Sequence, residues 1–300
     1  MTKCPQSQPP VHQRGIAATP GFLPAKIQSV LQHFQQSRKR RQIEKLKKQC
    51  GDFFAQLSED IDTLLETKPD YVVQIHAGLG NQMFQYAFSR ALKGKVLYDI
   101  STLGPDCEHQ FGLDKFCMDI PCVKNAVICE ALRKKNTVVE KVLNKYDPEL
   151  ISGHASGYFR GFFQTEKYFK PYREELVQVF KPRMPFDQSY QSMLDQIRKT
   201  NSVLVNFRVG ADYRRLGWVL GEQYQKNAMD WMAKHISNPR FFVFADDIDW
   251  VKRHFQTDYD MTFVDLGRGN PDRIYLDLEL IKNCKHDIVV NSTYSWWGAG

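Results

Sequence analysis

The chain has 300 residues, 42% of them apolar and 25% charged, which is enough for two packed domains. It contains no apolar run near the roughly 18 residues of a membrane span, and its first residues lack the apolar core of a secretion signal. Seven cysteines without a Cys-x-x-Cys pair exclude a disulfide scaffold and point to reduced thiols.

The net charge of +7 is uneven: the first 69 residues hold 11 Lys and Arg against 6 Asp and Glu. Residues 1–24 are rich in Pro, Gln and Ser and are expected to be disordered. Ile27, Val30, Leu31 and Phe34 open a helical stripe. Ile43, Leu46, Cys50, Phe53, Leu57, Ile61 and Leu64 continue it at three- and four-residue steps, as in an amphipathic helix or short coiled coil. Between the two lies Arg38 to Lys48, with seven basic residues and one acid. This run suits a solvated helix face or peripheral contact with an anionic membrane. No nucleic-acid module surrounds it, so nucleic acid is not an expected partner.

Pro69 closes this extension. Tyr71 to Ile75 reads as a strand, followed by Ala77-Gly78-Leu79-Gly80-Asn81-Gln82 and a helical pattern from Met83 to Leu92. A strand, a glycine turn and a helix bring free N–H groups against an anionic or polar ligand. The dinucleotide fingerprint Gly-x-Gly-x-x-Gly is not completed here. Asn81 and Gln82 supply amides suited to a hydroxyl-rich ligand, although Asn81 alone would also serve as a helix cap. Lys95 to Asp99 is a second expected strand, and a helix is expected from Ala126 to Asn144. The aromatic segment Tyr158 to Phe169 fits a core strand and a sugar-stacking surface equally well. A helix follows near Glu174 to Phe180, and Lys181 to Pro185 reads as a hinge.

Ser202 to Phe207 is a buried strand that delivers Arg208 and Asp212 to the loop at its carboxyl end. The pair is either a structural ion pair or a grip for phosphate. Tyr224 to His235 is helical, and Arg240 to Phe244 is a strand that releases Asp246 and Asp247. A helix restarts from Trp250 to Phe255, with a strand from Thr262 to Asp265 and a helix from Ile274 to Asn283. Asp287 to Val290 is a strand ending in Asn291-Ser292-Thr293-Tyr294-Ser295. Strands alternating with helices give parallel sheets. Three strand ends, carrying Arg208, the Asp246-Asp247 pair and Ser292 to Ser295, converge on one edge, and together they favour a nucleotide pocket.

Gly78 to Ala87, Gly161 to Phe169, Phe242 to Asp247 and Cys284 to Ala299 together resemble the α-1,2-fucosyltransferase family, glycosyltransferase family 11. The resemblance runs from about Tyr71 to the last residue. It implies an α/β, GT-B-like fold of two Rossmann-like domains with parallel sheets, preceded by the helical extension. The domains are expected over 70–184 on the acceptor side and 185–300 for GDP-fucose, the latter expected to be truncated at its end. The implied reaction transfers fucose from GDP-fucose to a galactose 2-hydroxyl of a glycan, with inversion and without an obligatory metal or other cofactor. Arg208 would hold the diphosphate, and Asp246 or Asp247 would accept from guanine. Ser292 and Ser295, with Thr293, would bind phosphate, while Asn81, with Gly80 and Gln82, would reach the donor from the first domain. Asp212 is the candidate base.

The chain departs from the family pattern in four places. Asn206 stands at a histidine position, Val209 follows the arginine, an extra Ala211 displaces Asp212, and Ala77 replaces a common glycine. Asparagine cannot act as a base at neutral pH. Two rival readings remain. One is a metal-dependent transferase acting through Asp247-Ile248-Asp249 or Asp258-Tyr259-Asp260, and the other is a non-catalytic nucleotide-binding homologue. His76, Cys284 with His286, and the sequon at Asn291 are expected to be structural. The expected location is cytoplasmic, peripheral at the inner membrane, and the sequence leaves the oligomeric state open.

Overall fold

The computed structural model describes residues 25–266 and 274–299. The 1–24 stretch expected to be disordered lies outside them, as do the side chains of Ile27, Val30, Leu31, Phe34 and Ile43. The chain divides into two compact units, residues 1–55 and 56–300. A single helix, Ala25–Thr67, crosses the division, passing Gly51 without a break.

Two parallel sheets lie in the second unit. The first holds β1 (Tyr71–Gln74), β2 (Val96–Asp99), β3 (Cys122–Val123), β4 (Thr137–Val139) and β5 (Gly157–Arg160) in the order β3-β2-β1-β5-β4. The second holds β6 (Asn201–Phe207), β7 (Pro239–Ala245), β8 (Met261–Phe263) and β9 (His286–Ile288) in the order β8-β7-β6-β9. All pairings are parallel. All four residues of β1 and six of the seven of β6 are buried, as central strands covered on both faces require. In each sheet the strand order reverses beside the first strand, so β1 with β5, and β6 with β9, flank the places where α/β sheets bind ligands. The fold class is α/β, with two Rossmann-like halves in a GT-B-like arrangement.

The expected helix from Ala126 to Asn144 is corrected: it stops at Arg133, and Thr137–Val139 is strand β4. The β-branched run Thr137-Val138-Val139 fits a pleated edge and pairs with β5. The helix Gln188–Lys199 and the short helix Ala211–Leu216 were not anticipated. Asp187 caps the first of these through the N–H groups of Ser189 and Tyr190. The Lys181 to Pro185 segment is stitched to the first half, since Cys117 N–H donates to Lys181 O at 2.9 Å and Arg183 N–H to Lys115 O at 2.9 Å.

Within the second unit the lower turns of the long helix are anchored. Asp60 is buried and accepts from the backbone N–H groups of Lys124 (2.8 Å) and Asn125 (2.5 Å) and from Gln56 Nε2 (2.6 Å). Leu64 packs on a cluster of Val72, Leu97, Val123, Cys129 and Tyr158. Of the sequence-predicted stripe, Leu64 packs against this sheet, whereas Leu46, Cys50, Phe53 and Ile61 are exposed.

One hydrophobic core runs through both sheets, from Val73, Phe88 and Phe159 to Leu204, Phe242 and Leu278. Phe163, Tyr168 and Phe169 are buried in it, so much of the aromatic segment is core. The halves meet where the helix Leu79–Ser89 packs on the helix Thr293–Ala299. Phe84 lies 4.8 Å from Trp296 and 4.9 Å from Trp297, and Phe169 stacks on Trp297 at 5.3 Å. Trp297 Nε1 donates to Gly80 O at 3.1 Å. A Cβ at Gly80 would sit 2.4 Å from Tyr294 N and 2.6 Å from Thr293 C, both backbone atoms that cannot swing aside. Gly80→Ala is therefore expected to lower stability by about 1–3 kcal/mol, read as a fall in the denaturant midpoint. An unchanged midpoint would show that the two backbones are not in contact.

Candidate functional site

The carboxyl edge of the first sheet is a set of clamped turns. After β1 the chain turns through Ala77 at φ 64°, a left-handed conformation that a glycine adopts without strain. Gln85, buried in the helix Leu79–Ser89, accepts from His76 N–H at 2.9 Å and donates to Gly161 O at 3.1 Å, tying the ends of β1 and β5 together. His76 Nε2 lies 3.2 Å from the same carbonyl, and burial holds its imidazole below the usual pKa. The Gly161-Phe162-Phe163 turn carries Phe163 at φ 52°. It closes on Glu140, whose Oε2 accepts from Phe162 N–H at 2.7 Å and Phe163 N–H at 3.1 Å.

The predicted residues of this edge differ in what they leave available. Gln82 is buried; it donates to Ala77 O and Gln110 O, both at 2.8 Å, and accepts from Gly112 N–H at 3.0 Å. Its amide is fully engaged in holding loops. Asn81 accepts from Gln164 Nε2 at 2.6 Å, and its own amide donates to nothing among the described residues. Gly80 lies against Thr293 and Tyr294, so one predicted residue from each half comes into contact.

Arg208 organises the second edge. It follows β6, and its guanidinium donates from Nη1 to Asp246 Oδ2 at 2.6 Å and from Nη2 to Asp212 Oδ2 at 2.7 Å. The Tyr213 ring lies beneath it at 4.5 Å. Asp246, at the end of β7, also accepts from Val209 N–H (2.8 Å) and Gly210 N–H (2.9 Å), so both its oxygens are engaged by the turn that carries the arginine. Gly210 is required there because a Cβ would fall 2.5 Å from Asp246 Oδ2. A guanidinium has five N–H groups, so this hold leaves three, and the side chain is 31% exposed.

The neighbouring residues fix the rest of this edge. Asp247 caps the helix Ile248–His254 through Trp250 N–H at 3.0 Å and accepts from Arg214 Nη1 at 3.0 Å. These two donors hold its carboxyl below the usual range. Ser295 is buried and donates to Ser292 O at 3.0 Å, closing the first turn of the helix Thr293–Ala299, while Ser292 and Thr293 are half-buried. Tyr213 OH donates to Asn291 O at 3.0 Å, and Asn291 Nδ2 donates to Trp218 O at 3.0 Å. These contacts bind the ends of β6 and β9 together and leave the Trp218 side chain at the edge, 54% exposed.

Asn206, at the family's histidine position, is buried. Its Nδ2 donates to Phe244 O at 3.5 Å, and its Oδ1 has no partner among the described residues. Sequence reading passed over Tyr213, Arg214, Trp218, Gln85 and Glu140. Tyr213 and Arg214 lie within a few residues of Arg208, but only the helical turn Ala211–Leu216 brings them back to it. Neither Asp-x-Asp motif gathers a metal-ligand set: among the described residues no three His, Cys, Asp or Glu lie close enough to hold an ion.

Two Rossmann-like halves thus meet at their carboxyl edges beside a strand-end arginine, a GT-B-like arrangement. The model of glycosyl transferase family 11 matches residues 43–300. An alpha-1,2-colitosyltransferase of Escherichia coli is 30% identical over 259 residues, covering 76% of this chain and 86% of its own. Galactoside alpha-(1,2)-fucosyltransferase 1 of Homo sapiens is 26% identical over 246 residues, covering 76% of this chain and 64% of its own. Among solved structures, fucosyltransferase NodZ from Bradyrhizobium matches with a TM-score of 0.38 at 11% identity, covering 76% of this chain and 91% of its own. The chain belongs to glycosyl transferase family 11, and it is an enzyme of the glycosyltransferase class.

One carboxyl near this edge is out of balance. Asp287, on β9 beside Leu204 of β6, has a buried Oδ1 without a partner among the described residues, and burial pushes its pKa up from 3.8 to about 6. An acid whose folded pKa is raised is best tolerated when protonated. Its contribution to stability is therefore present below about pH 4 and is lost as the pH rises through about 6. Asp287→Asn is expected to raise the melting temperature near neutral pH and leave it almost unchanged near pH 4. Parallel melting curves for the two proteins across that range would contradict the burial of this charge.

Proposed function

We propose that the chain transfers fucose from GDP-fucose, with inversion, to the 2-hydroxyl of a galactose in a glycan bound for cell-surface polysaccharide or glycolipid. The observation that carries this reading is the held arginine: Arg208 is fixed by Asp246, Asp212 and Tyr213 at the switch point of the second sheet, with N–H donors left over. In the reaction the acceptor oxygen forms a bond to the anomeric carbon as the bond to the β-phosphate oxygen breaks. The bonding electrons leave with GDP. A cation held in place before the reaction stabilises that charge without reorganising, and this is usually the largest single contribution to such catalysis.

The other assignments follow from which groups remain available. Asn81, Ser292 and Thr293 would touch the donor, with Gly80 letting the two halves approach closely enough to share it. Gln82, Asp246 and Ser295, whose polar atoms are engaged within the protein, would shape the pocket. Asp247 would border the guanine. Asp212, on the outer side of Arg208 with its side chain 41% exposed, would take the proton of the acceptor hydroxyl. Since Arg208 supplies the positive charge in this reading, activity is expected to persist in excess chelator. The work would be done on the cytoplasmic side.

The identity to an alpha-1,2-colitosyltransferase favours a second donor, GDP-colitose. Colitose is fucose without its 3-hydroxyl, and a pocket that hydrogen-bonds that hydroxyl rejects the deoxy sugar by roughly 10⁴-fold or more. Incubation with GDP-fucose, GDP-colitose, UDP- and CMP-sugars and a set of β-galactosides, followed by linkage analysis, separates the readings. An α-1,2-fucosyl product supports the first and a colitosyl product the second, whereas GDP binding with no transfer or hydrolysis would mark a non-catalytic homologue. Arg208→Ala is expected to lower turnover by about 10²- to 10³-fold; near-normal turnover would remove Arg208 from the mechanism.

A further inference from the structure

The first compact unit carries a helix face on which none of the residues assigned above to the transfer lies. Along the helix Ala25–Thr67, Leu46 is 54% exposed, Phe53 44% and Phe54 66%, and Cys50 is exposed as well. At about 100° per residue, these four fall within an arc of roughly 100° on one side of the helix. Arg40, Arg41, Lys45, Lys47 and Lys48, all exposed, occupy the flanks and the opposite side. Lys39 lies at the upper end of the apolar arc, where a long stem can lie along apolar surface with its ammonium in water. Glu44 and Asp52 are the acids of this segment.

The basic charge identifies the partner. A second copy of the helix laid on this face would bring two strongly basic rows together, which like-charge repulsion opposes. Water alone leaves two phenylalanine rings and a leucine hydrated on a helix that is anchored lower down through Asp60 and Leu64, with Ile61 and Leu65 beside them exposed as well. A negatively charged, apolar-cored layer satisfies both features at once. We propose that residues 39–54 are a docking surface for an anionic phospholipid bilayer. Leu46, Phe53 and Phe54 enter the boundary between headgroups and acyl chains, and the flanking Lys and Arg side chains hold lipid phosphates. This inference rests on the helix alone and is independent of which sugar the enzyme transfers.

The test is cosedimentation of the full chain with vesicles of phosphatidylcholine alone and of equimolar phosphatidylcholine and phosphatidylglycerol, at low and high salt. Binding is expected only to the anionic vesicles and is expected to fall as salt shortens the screening length. Each cation near the surface contributes about fivefold in partitioning, so Lys45→Glu/Lys47→Glu/Lys48→Glu should weaken binding by about a hundredfold or more. Phe53→Ser/Phe54→Ser should weaken it at every salt concentration. Melting curves by circular dichroism verify that these exposed changes leave the fold intact, and the salt series on the unaltered chain needs no variant at all. Equal binding to neutral vesicles, or full binding by the charge-reversed variant, would overturn the proposal. So would a concentration-dependent dimer that Phe53→Ser/Phe54→Ser abolishes, since it would assign the face to a second copy.

Discussion

The carboxylate of Asp246 is the fixed point of the second half. It accepts from two backbone N–H groups and a guanidinium, so the turn after β6 and the arginine on it are oriented by one group projecting from the neighbouring strand. Arg208 thereby reaches the sheet edge already aimed, with Asp212 and Tyr213 limiting its other directions. A cation held in this way forgoes some of its own solvation. In exchange it does not have to be ordered when an anion arrives, which is the general advantage of a preorganised site.

The first half contributes shape more than charge. Gln82, Gln85 and Glu140 are buried or nearly so, and each closes a loop by bonding backbone groups distant in sequence. Two residues, Ala77 and Phe163, hold left-handed backbone at the ends of adjacent strands. Such strain persists only where the surroundings fix it. Phe163 is fixed by stacking on Phe88 at 3.9 Å and by the Glu140 clamp on its N–H. The edge is therefore clamped at several points, while the Asn81 amide donates to nothing among the described residues.

Much of this architecture could be read from residues alone, because parallel strands buried on both faces are continuous apolar runs that end abruptly in glycine or charge. Val203 to Phe207 before Arg208, and Phe241 to Phe244 before Asp246, are of that kind. The short edge strand Thr137–Val139 was hidden because it continues a helical pattern without punctuation. The site was legible only in its ends. Sequence placed Arg208, Asp212 and Asp246 at one edge and offered Arg208 with Asp212 as an ion pair, but could not show that Asp246 also binds the arginine, since that depends on β7 lying beside β6 in register. Gln82 looked like a ligand amide for the same reason: the carbonyl of Gln110 and the N–H of Gly112 that occupy it lie far away along the chain. The aromatic motif was ambiguous because burial is a property of the whole fold: Phe163 is core against Phe88 and Tyr168, and Phe169 against the Trp296-Trp297 pair.

The contact of Gly80 with the Thr293–Tyr294 backbone governs how the two halves can move. Sliding them apart would break the indole-to-carbonyl bond from Trp297 and expose the rings of Phe84 and Phe169 to water. Any relative displacement of the halves that preserves these contacts must therefore keep Gly80 against the Thr293–Tyr294 backbone.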